Sequence, residues 1–279
     1  MNVVPLPPEV VRDDVHRALE EDVGSGDCTA HLVPREQELH TRVISRESAV
    51  LSGTDWFDET FRQLDPGVTV DWHAADGDRI EPGLVVCEVR GAARSVLTGE
   101  RTALNFLQAL SGTATATRRY VDAIAGTGAT VLDTRKTLPG LRRAQKYAVR
   151  CGGGSNHRIG LFDAILVKEN HIEAAGSIRA AVDKAQQRYP GLLLEVEVED
   201  LDQLGQAFVA GAQRVLLDNF PLERLREAVH LYKGRIGLEA SGGIELDSIR
   251  AVAETGVDFI SVGGITKHVR AVDFSMRFA

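Results

Sequence analysis

Residues 191–218, GLLLEVEVEDLDQLGQAFVAGAQRVLLD, read as strand, helix and strand in succession. Leu192, Leu193 and Leu194 put apolar side chains on both faces of 192–198, the mark of a strand covered on both sides. Residues 200–210 follow with helical spacing, and 214–218 is a second short apolar run. A buried strand joined to the next by one helix is the unit of a parallel sheet. The pattern extends in both directions. Strands are predicted at 130–133, 164–168, 192–198, 214–218, 235–239 and 258–262, with helices near 139–149, 177–188, 200–210, 221–231 and 245–255. The fold class is α/β with six parallel strands. An open doubly wound sheet is one such architecture, but Asp133 leads into Thr134-Arg135-Lys136-Thr137 rather than a Gly-x-Gly turn.

Each predicted strand closes on a polar, charged or glycine position. These are Asp133 with Arg135 and Lys136, then Lys168, Glu197 and Asp218, then Glu239 with Ser241-Gly242-Gly243, and Gly263-Gly264. In parallel α/β folds the carboxyl ends of strands carry the active site. Glu195, Glu197 and Glu199 share one face of a buried strand, and a buried carboxylate is costly unless paired, hydrogen-bonded or metal-bound. Lys168 or magnesium would relieve that cost; equally, Glu195 and Glu199 could stand in solvent. The glycine pairs let backbone N–H groups approach a phosphate, at loop positions where barrels bind one. Arg135, His157, Arg158 and Arg101 are candidates to clamp carboxylates. Glu197 and Asp218 are candidates to hold magnesium beside substrate phosphates. His157 has no Cys or His partner at a ligand spacing, which argues against zinc. Arg142, Arg143 and Lys146 read as a solvated helix face.

The first hundred residues form a different unit, with a helix at 8–21 and strands in 39–53, 67–74 and 84–90. Thr98 is an N-cap candidate for a long helix through Ile124, which would set Arg101 in the first turn against the helix dipole. Such an arginine either serves a ligand or pairs with a nearby acid. Ser111-Gly112-Thr113 leaves open a close packing or a break. The net charge of -8 argues against nucleic acid, yet residues 118–158 hold nine Lys or Arg against Asp122 and Asp133. A cationic zone in an acidic chain suits a small anion. Three cysteines without a Cys-x-x-Cys pair indicate a reducing compartment. The N-terminal apolar patch is broken by Pro5, Pro7 and Pro8, and no run approaches the ~20 apolar residues of a membrane span. A cytoplasmic protein with no membrane partner is expected.

Seven ordered motifs then stand together: Glu100-Arg101-Thr102-Ala103-Leu104-Asn105, Asp133-Thr134-Arg135-Lys136-Thr137-Leu138-Pro139-Gly140-Leu141-Arg142, Gly152-Gly153-Gly154-Ser155-Asn156-His157-Arg158, Lys168-Glu169-Asn170-His171, Glu195-Val196-Glu197-Val198, Leu217-Asp218-Asn219 and Glu239-Ala240-Ser241-Gly242-Gly243. With these the chain resembles the quinolinate phosphoribosyltransferases from about residue 15 to its C-terminus. The resemblance implies an N-terminal open-faced α/β sandwich, 1–105, completed by a tail at about 267–279, and a six-stranded parallel α/β barrel, 106–266. It implies that Arg135, His157, Arg158 and Lys168 surround quinolinate, with Arg101 supplied by the partner of a homodimer or higher homo-oligomer. Lys136, Glu197 and Asp218 would serve phosphoribosyl pyrophosphate and its magnesium. Ser241, Gly242, Gly243, Gly263 and Gly264 would take the 5′-phosphate, and Arg46 is a further contributor. Lys136, Lys168, Glu197 and Asp218 are thereby the expected catalytic set, for formation of nicotinate mononucleotide with loss of pyrophosphate and carbon dioxide. The alternatives are a related pyrophosphorylase with another substrate, a barrel aldolase with Lys168 as Schiff base, and a non-catalytic anion binder.

Overall fold

The computed structural model describes residues 4–279; the first three residues of the N-terminal apolar patch lie outside these. One compact unit comprises the chain up to Arg118, Thr137–Gly153 and Ile265–Ala279; the other comprises Arg119–Lys136 and Gly154–Gly264. The boundary read at 105/106 falls within a continuous helix, Ala93–Ala123.

In the second unit the strands are Thr130–Leu132, Ala164–Val167, Leu193–Val198, Arg214–Asp218, Gly237–Ser241 and Phe259–Ser261. All are parallel, each of the last four pairs with its predecessor, and Phe259–Ser261 returns to pair with Thr130–Leu132. The order never reverses, so there is no switch point of a doubly wound sheet; the chain runs once round a six-stranded α/β barrel. Where Thr130–Leu132 and Ala164–Val167 would meet, Ser155 bridges the first strand, its N–H donating to Val131 O at 2.9 Å. Helices Ile178–Arg188, Leu201–Ala210 and Leu222–Tyr232 pack on the strands. Two of them start where a side chain accepts an otherwise unpaired N–H: Ser177 Oγ from Ala180 at 3.1 Å and Asp200 Oδ1 from Gln203 at 2.8 Å.

Several sequence readings need correction. The fifth strand lies two residues later than predicted, because its register against Arg214–Asp218 pairs Gly237 with Arg214 and Ser241 with Asp218. Glu239 is therefore inside the strand and Ser241 ends it. The helix Arg142–Cys151 belongs to the first unit and is no barrel crossover, and Lys146 on it is buried rather than solvated. A short helix, Glu169–Ala175, was not read at all.

The first unit carries an antiparallel sheet in the order Phe274–Phe278, Glu38–Ser45, Val85–Ala92, Thr69–Trp72. Residues alternate along Glu38–Ser45 between buried and exposed. Val43, Val86 and Val89 bury against Phe57 and Phe61 of helix Thr54–Leu64 and Leu104 and Leu107 of Ala93–Ala123. The other face is open and ionic: Arg42 meets Glu88 at 3.3 Å and Arg90 meets Asp71 at 2.5 Å. This is the open-faced sandwich. The long helix starts at Ala93, directly from the strand Val85–Ala92, and the Thr98 hydroxyl, committed to Asp27 Oδ2 at 2.7 Å, caps nothing. Arg101 consequently sits in the third turn, and the dipole argument for it does not hold. Nor does the helix break at Gly112; a Cβ there would stand 2.2 Å from the carbonyl oxygen of Arg270.

Candidate active site

Parallel pairing brings the carboxyl ends of the barrel strands to one rim, and at that rim a cavity of about 350 Å³ opens. Arg135, Lys136, His157, Arg158, Lys168, Glu197, Asp218 and Ser241 all line it, with Thr134, Leu166, Leu216, Glu239 and Ser261 completing the wall. Four Lys or Arg side chains and three carboxyl side chains, Glu197, Asp218 and Glu239, thus share one concavity.

Asp133, fully buried, organises the cationic side. Its Oδ1 accepts the His157 N–H at 2.9 Å and its Oδ2 accepts from Asn156 Nδ2 at 2.6 Å, which fastens the loop bearing His157 and Arg158 to the first strand. Thr134 Oγ1 accepts the Lys136 N–H at 3.1 Å, setting the turn after that strand. Burial, and then the neighbouring Arg135 charge, press the Arg158 guanidinium below its ordinary pKa. An anion between these two arginines removes their mutual repulsion. On the opposite side Lys168 Nζ is ion-paired with Glu197 Oε2.

Beneath the rim lies a polar layer that the sequence only partly disclosed. Glu195 and Glu239 are 1% and 0% exposed, so the solvated reading of Glu195 is wrong, whereas Glu199 is exposed. His157 Nε2 is 2.9 Å from Glu195 Oε2 and 3.7 Å from Glu239 Oε2. Arg214 Nη1 reaches Glu239 Oε2 at 3.3 Å, its guanidinium resting 4.1 Å over the Phe259 ring. Desolvation pushes both glutamates up to about 7; the Glu195 charge raises Glu239 further, while the Arg214 charge and a hydrogen bond with Glu239 act on Glu195 in the opposite direction. Arg158 N–H donates to His157 Nδ1 at 2.7 Å, and His157 Nε2 faces Glu195. His157 lines the pocket with both of its ring nitrogens engaged.

The remaining expected residues are distributed as follows. Gly242 and Gly243 line an adjoining cavity of about 270 Å³ that shares Ser241. Gly263 lies against the Lys136 stem, where a Cβ would come within 3.0 Å of Cδ, and Gly264 opens the turn Gly264–Lys267. Arg101 is exposed on the first unit. Arg46 Nε donates to Ser275 Oγ at 2.9 Å in the sandwich.

Comparison with known proteins agrees with this arrangement. Residues 27–111 match the model of the quinolinate phosphoribosyl transferase N-terminal domain and residues 113–277 that of its C-terminal domain. A probable nicotinate-nucleotide pyrophosphorylase [carboxylating] of Bacillus subtilis is 43% identical over 92% of this chain and 89% of its own. That of Mycobacterium leprae is 42% identical over 96% and 97%. The solved nicotinate-nucleotide pyrophosphorylase of Francisella tularensis superposes with a TM-score of 0.95 at 46% identity, over 100% of this chain and 99% of that one. The chain belongs to the quinolinate phosphoribosyltransferase family.

Proposed function

We propose that this protein transfers the phosphoribosyl group of phosphoribosyl pyrophosphate to quinolinate and decarboxylates the adduct, giving nicotinate mononucleotide, pyrophosphate and carbon dioxide for NAD biosynthesis. The observation that carries this is the cavity holding Arg135, Lys136, Arg158 and Lys168 together with Glu197 and Asp218. Arg135 and Arg158 are matched to the two carboxylates of a pyridine diacid by their forked donors. Lys136, with Gly263 packed on its stem, faces the diphosphate, and Ser241 with the glycine turn behind it suits the 5′-phosphate.

The ring nitrogen attacks the anomeric carbon as the carbon–oxygen bond to pyrophosphate breaks. The positive ring nitrogen then stabilises the electron pair left on ring carbon 2 when carbon dioxide departs, and that pair takes up a proton to form the new carbon–hydrogen bond. No enzyme nucleophile is required. The chain's contribution is fixed charge and alignment. The hard oxygen donors Glu197 and Asp218, on one cavity wall, fit magnesium, which takes one or two protein carboxylates plus substrate phosphates. When bound, the ion would supply charge neutralisation on the departing pyrophosphate. The buried group of His157, Glu195 and Glu239 suits it less, since Arg214 already pairs with Glu239 at 3.3 Å.

A Schiff-base aldolase is disfavoured, because Lys168 is half-exposed and ion-paired with Glu197, not set in the apolar, desolvated pocket that a nucleophilic lysine needs. We assign Arg101 to the site of a partner copy in a homodimer, supported by its exposure and by the family's shared motif. Three free cysteines support a reducing, cytoplasmic setting, and no helix among the described residues is long and apolar enough to cross a membrane. The test mixes the protein with quinolinate, phosphoribosyl pyrophosphate and magnesium and follows product mass. Nicotinate mononucleotide should form only with all components present; its absence from the full mixture refutes the assignment.

A further inference from the structure

Among the described residues, the left-handed backbone region is occupied by glycine at every position except one, Asn219, with φ 54°. A non-glycine residue there is strained by roughly 1 kcal/mol or more, and Asn tolerates it better than most without removing the cost. A need for the turn alone would be met by glycine, as it is elsewhere in this chain. The side chain must therefore do something that glycine does not.

Its contacts show what. Asn219 Nδ2 donates to Asp218 Oδ2 at 3.0 Å, and Asn219 N–H donates to Ser241 O at 2.9 Å. Its Oδ1 lies so close over Gly242 that a Cβ on that residue would stand 2.1 Å from it, and 2.9 Å from the Asn219 nitrogen. Gly242 itself has φ 105°. Two adjacent strand ends are thereby clasped at one residue: the carboxylate of Asp218 on one, and the Ser241–Gly242 turn on the other. The absence of a side chain at Gly242 is explained by this clasp as well as by phosphate approach.

We infer that Asn219 is a positioning residue for phosphoribosyl pyrophosphate, holding the Asp218 carboxylate in orientation and at fixed spacing from the Ser241–Gly242 turn. The inference rests on the proposed reaction. It assigns Asn219 to the sugar-phosphate substrate alone, because the clasp touches neither Arg135 nor Arg158.

Asn219→Gly keeps the backbone conformation and deletes the clasp. Asn219→Asp keeps size and left-handed tolerance but replaces the donor with a carboxylate beside Asp218. In both variants KM for phosphoribosyl pyrophosphate should rise ~10-fold or more, the range for loss of a group that orients a ligand-binding carboxylate. KM for quinolinate should be unchanged. In parallel, the rise in unfolding temperature that magnesium phosphoribosyl pyrophosphate confers on the wild type should shrink, while the unfolding temperature of ligand-free Asn219→Gly should not fall. Wild-type kinetics in either variant, or an equal rise in both KM values, overturns the inference. Failure of the wild type to turn over quinolinate overturns the proposed reaction instead, and the inference with it.

Discussion

His157 Nε2 lies 2.9 Å from Glu195 Oε2 while its Nδ1 accepts the N–H of the next residue, Arg158, at 2.7 Å. Both ring nitrogens are thus committed, and the tautomer is set by a buried carboxylate below and a backbone amide beside it. Nitrogen NMR of selectively labelled protein should find the proton on Nε2 at neutral pH; a proton on Nδ1 contradicts this geometry. His157→Ala leaves Glu195 without its donor and should lower unfolding free energy by about 1–3 kcal/mol, read from denaturant unfolding.

The Glu195 and Glu239 carboxyls give the fold a pH signature. Burial raises both from 4.5 to about 7. Between those limits the folded state binds more protons than the unfolded one, so stability falls as pH rises through the window and the loss is complete above about 7. Glu195→Gln removes one of the two charges and leaves the Arg214–Glu239 pair intact. The variant should melt above the wild type at alkaline pH, with the difference closing toward acid pH. A difference independent of pH would contradict the argument.

Arg135→Ala removes one prong of the proposed diacid clamp. A hydrogen bond to a charged group contributes about 1.5–3 kcal/mol, equivalent to roughly 10- to 100-fold in KM for quinolinate. Steady-state kinetics should show that rise with the KM for phosphoribosyl pyrophosphate little altered. Unchanged quinolinate kinetics would remove Arg135 from the diacid site.

Arg101 is tested by complementation. Arg101→Ala and Arg135→Ala proteins, each impaired alone, should recover activity when unfolded and refolded together. A shared site gives hybrid dimers one intact centre. No recovery, with hybrids shown by native mass spectrometry, would place Arg101 in its own subunit's site or in none.

Gly112→Ala should destabilise despite alanine's better helix propensity of about 1 kcal/mol. Its Cβ would meet the backbone oxygen of Arg270 at 2.2 Å, and a backbone carbonyl cannot swing aside as a side chain does. Overpacking of this kind costs about 1–3 kcal/mol. Thermal unfolding should show a lower midpoint; a higher one would mean the tail gives way.

The six barrel strands were legible because parallel strands covered on both faces leave short apolar runs, and Val131, Val196, Val215 and Ile260 carry that signal. The rim cations and carboxylates followed, since strand ends in such folds share a rim. Less was readable where register or long-range contact decides. Glu239 read as a strand end, and only its pairing with Leu216 shows it to be an inward-facing floor residue. Arg214 read as a strand start, although its partners Glu239 and Phe259 are distant in sequence. Thr98 had the chemistry of a cap, but Asp27 claimed its hydroxyl. Asn219 carried no local sign of strain, because a left-handed residue is visible only in the backbone.

The path of the chain between Lys136 and Gly154 has its own consequence. After supplying Arg135 and Lys136 the polypeptide leaves the barrel, builds Thr137–Gly153 into the sandwich unit, and returns to supply His157 and Arg158. Of these four cavity-lining residues, half are thus laid down before this excursion and half after it. The barrel is not a contiguous cassette. A gene fragment cut at the ends of the barrel would carry a stranded piece of its neighbour, and recombination that exchanges barrels between relatives must bring that internal segment and its docking surface along.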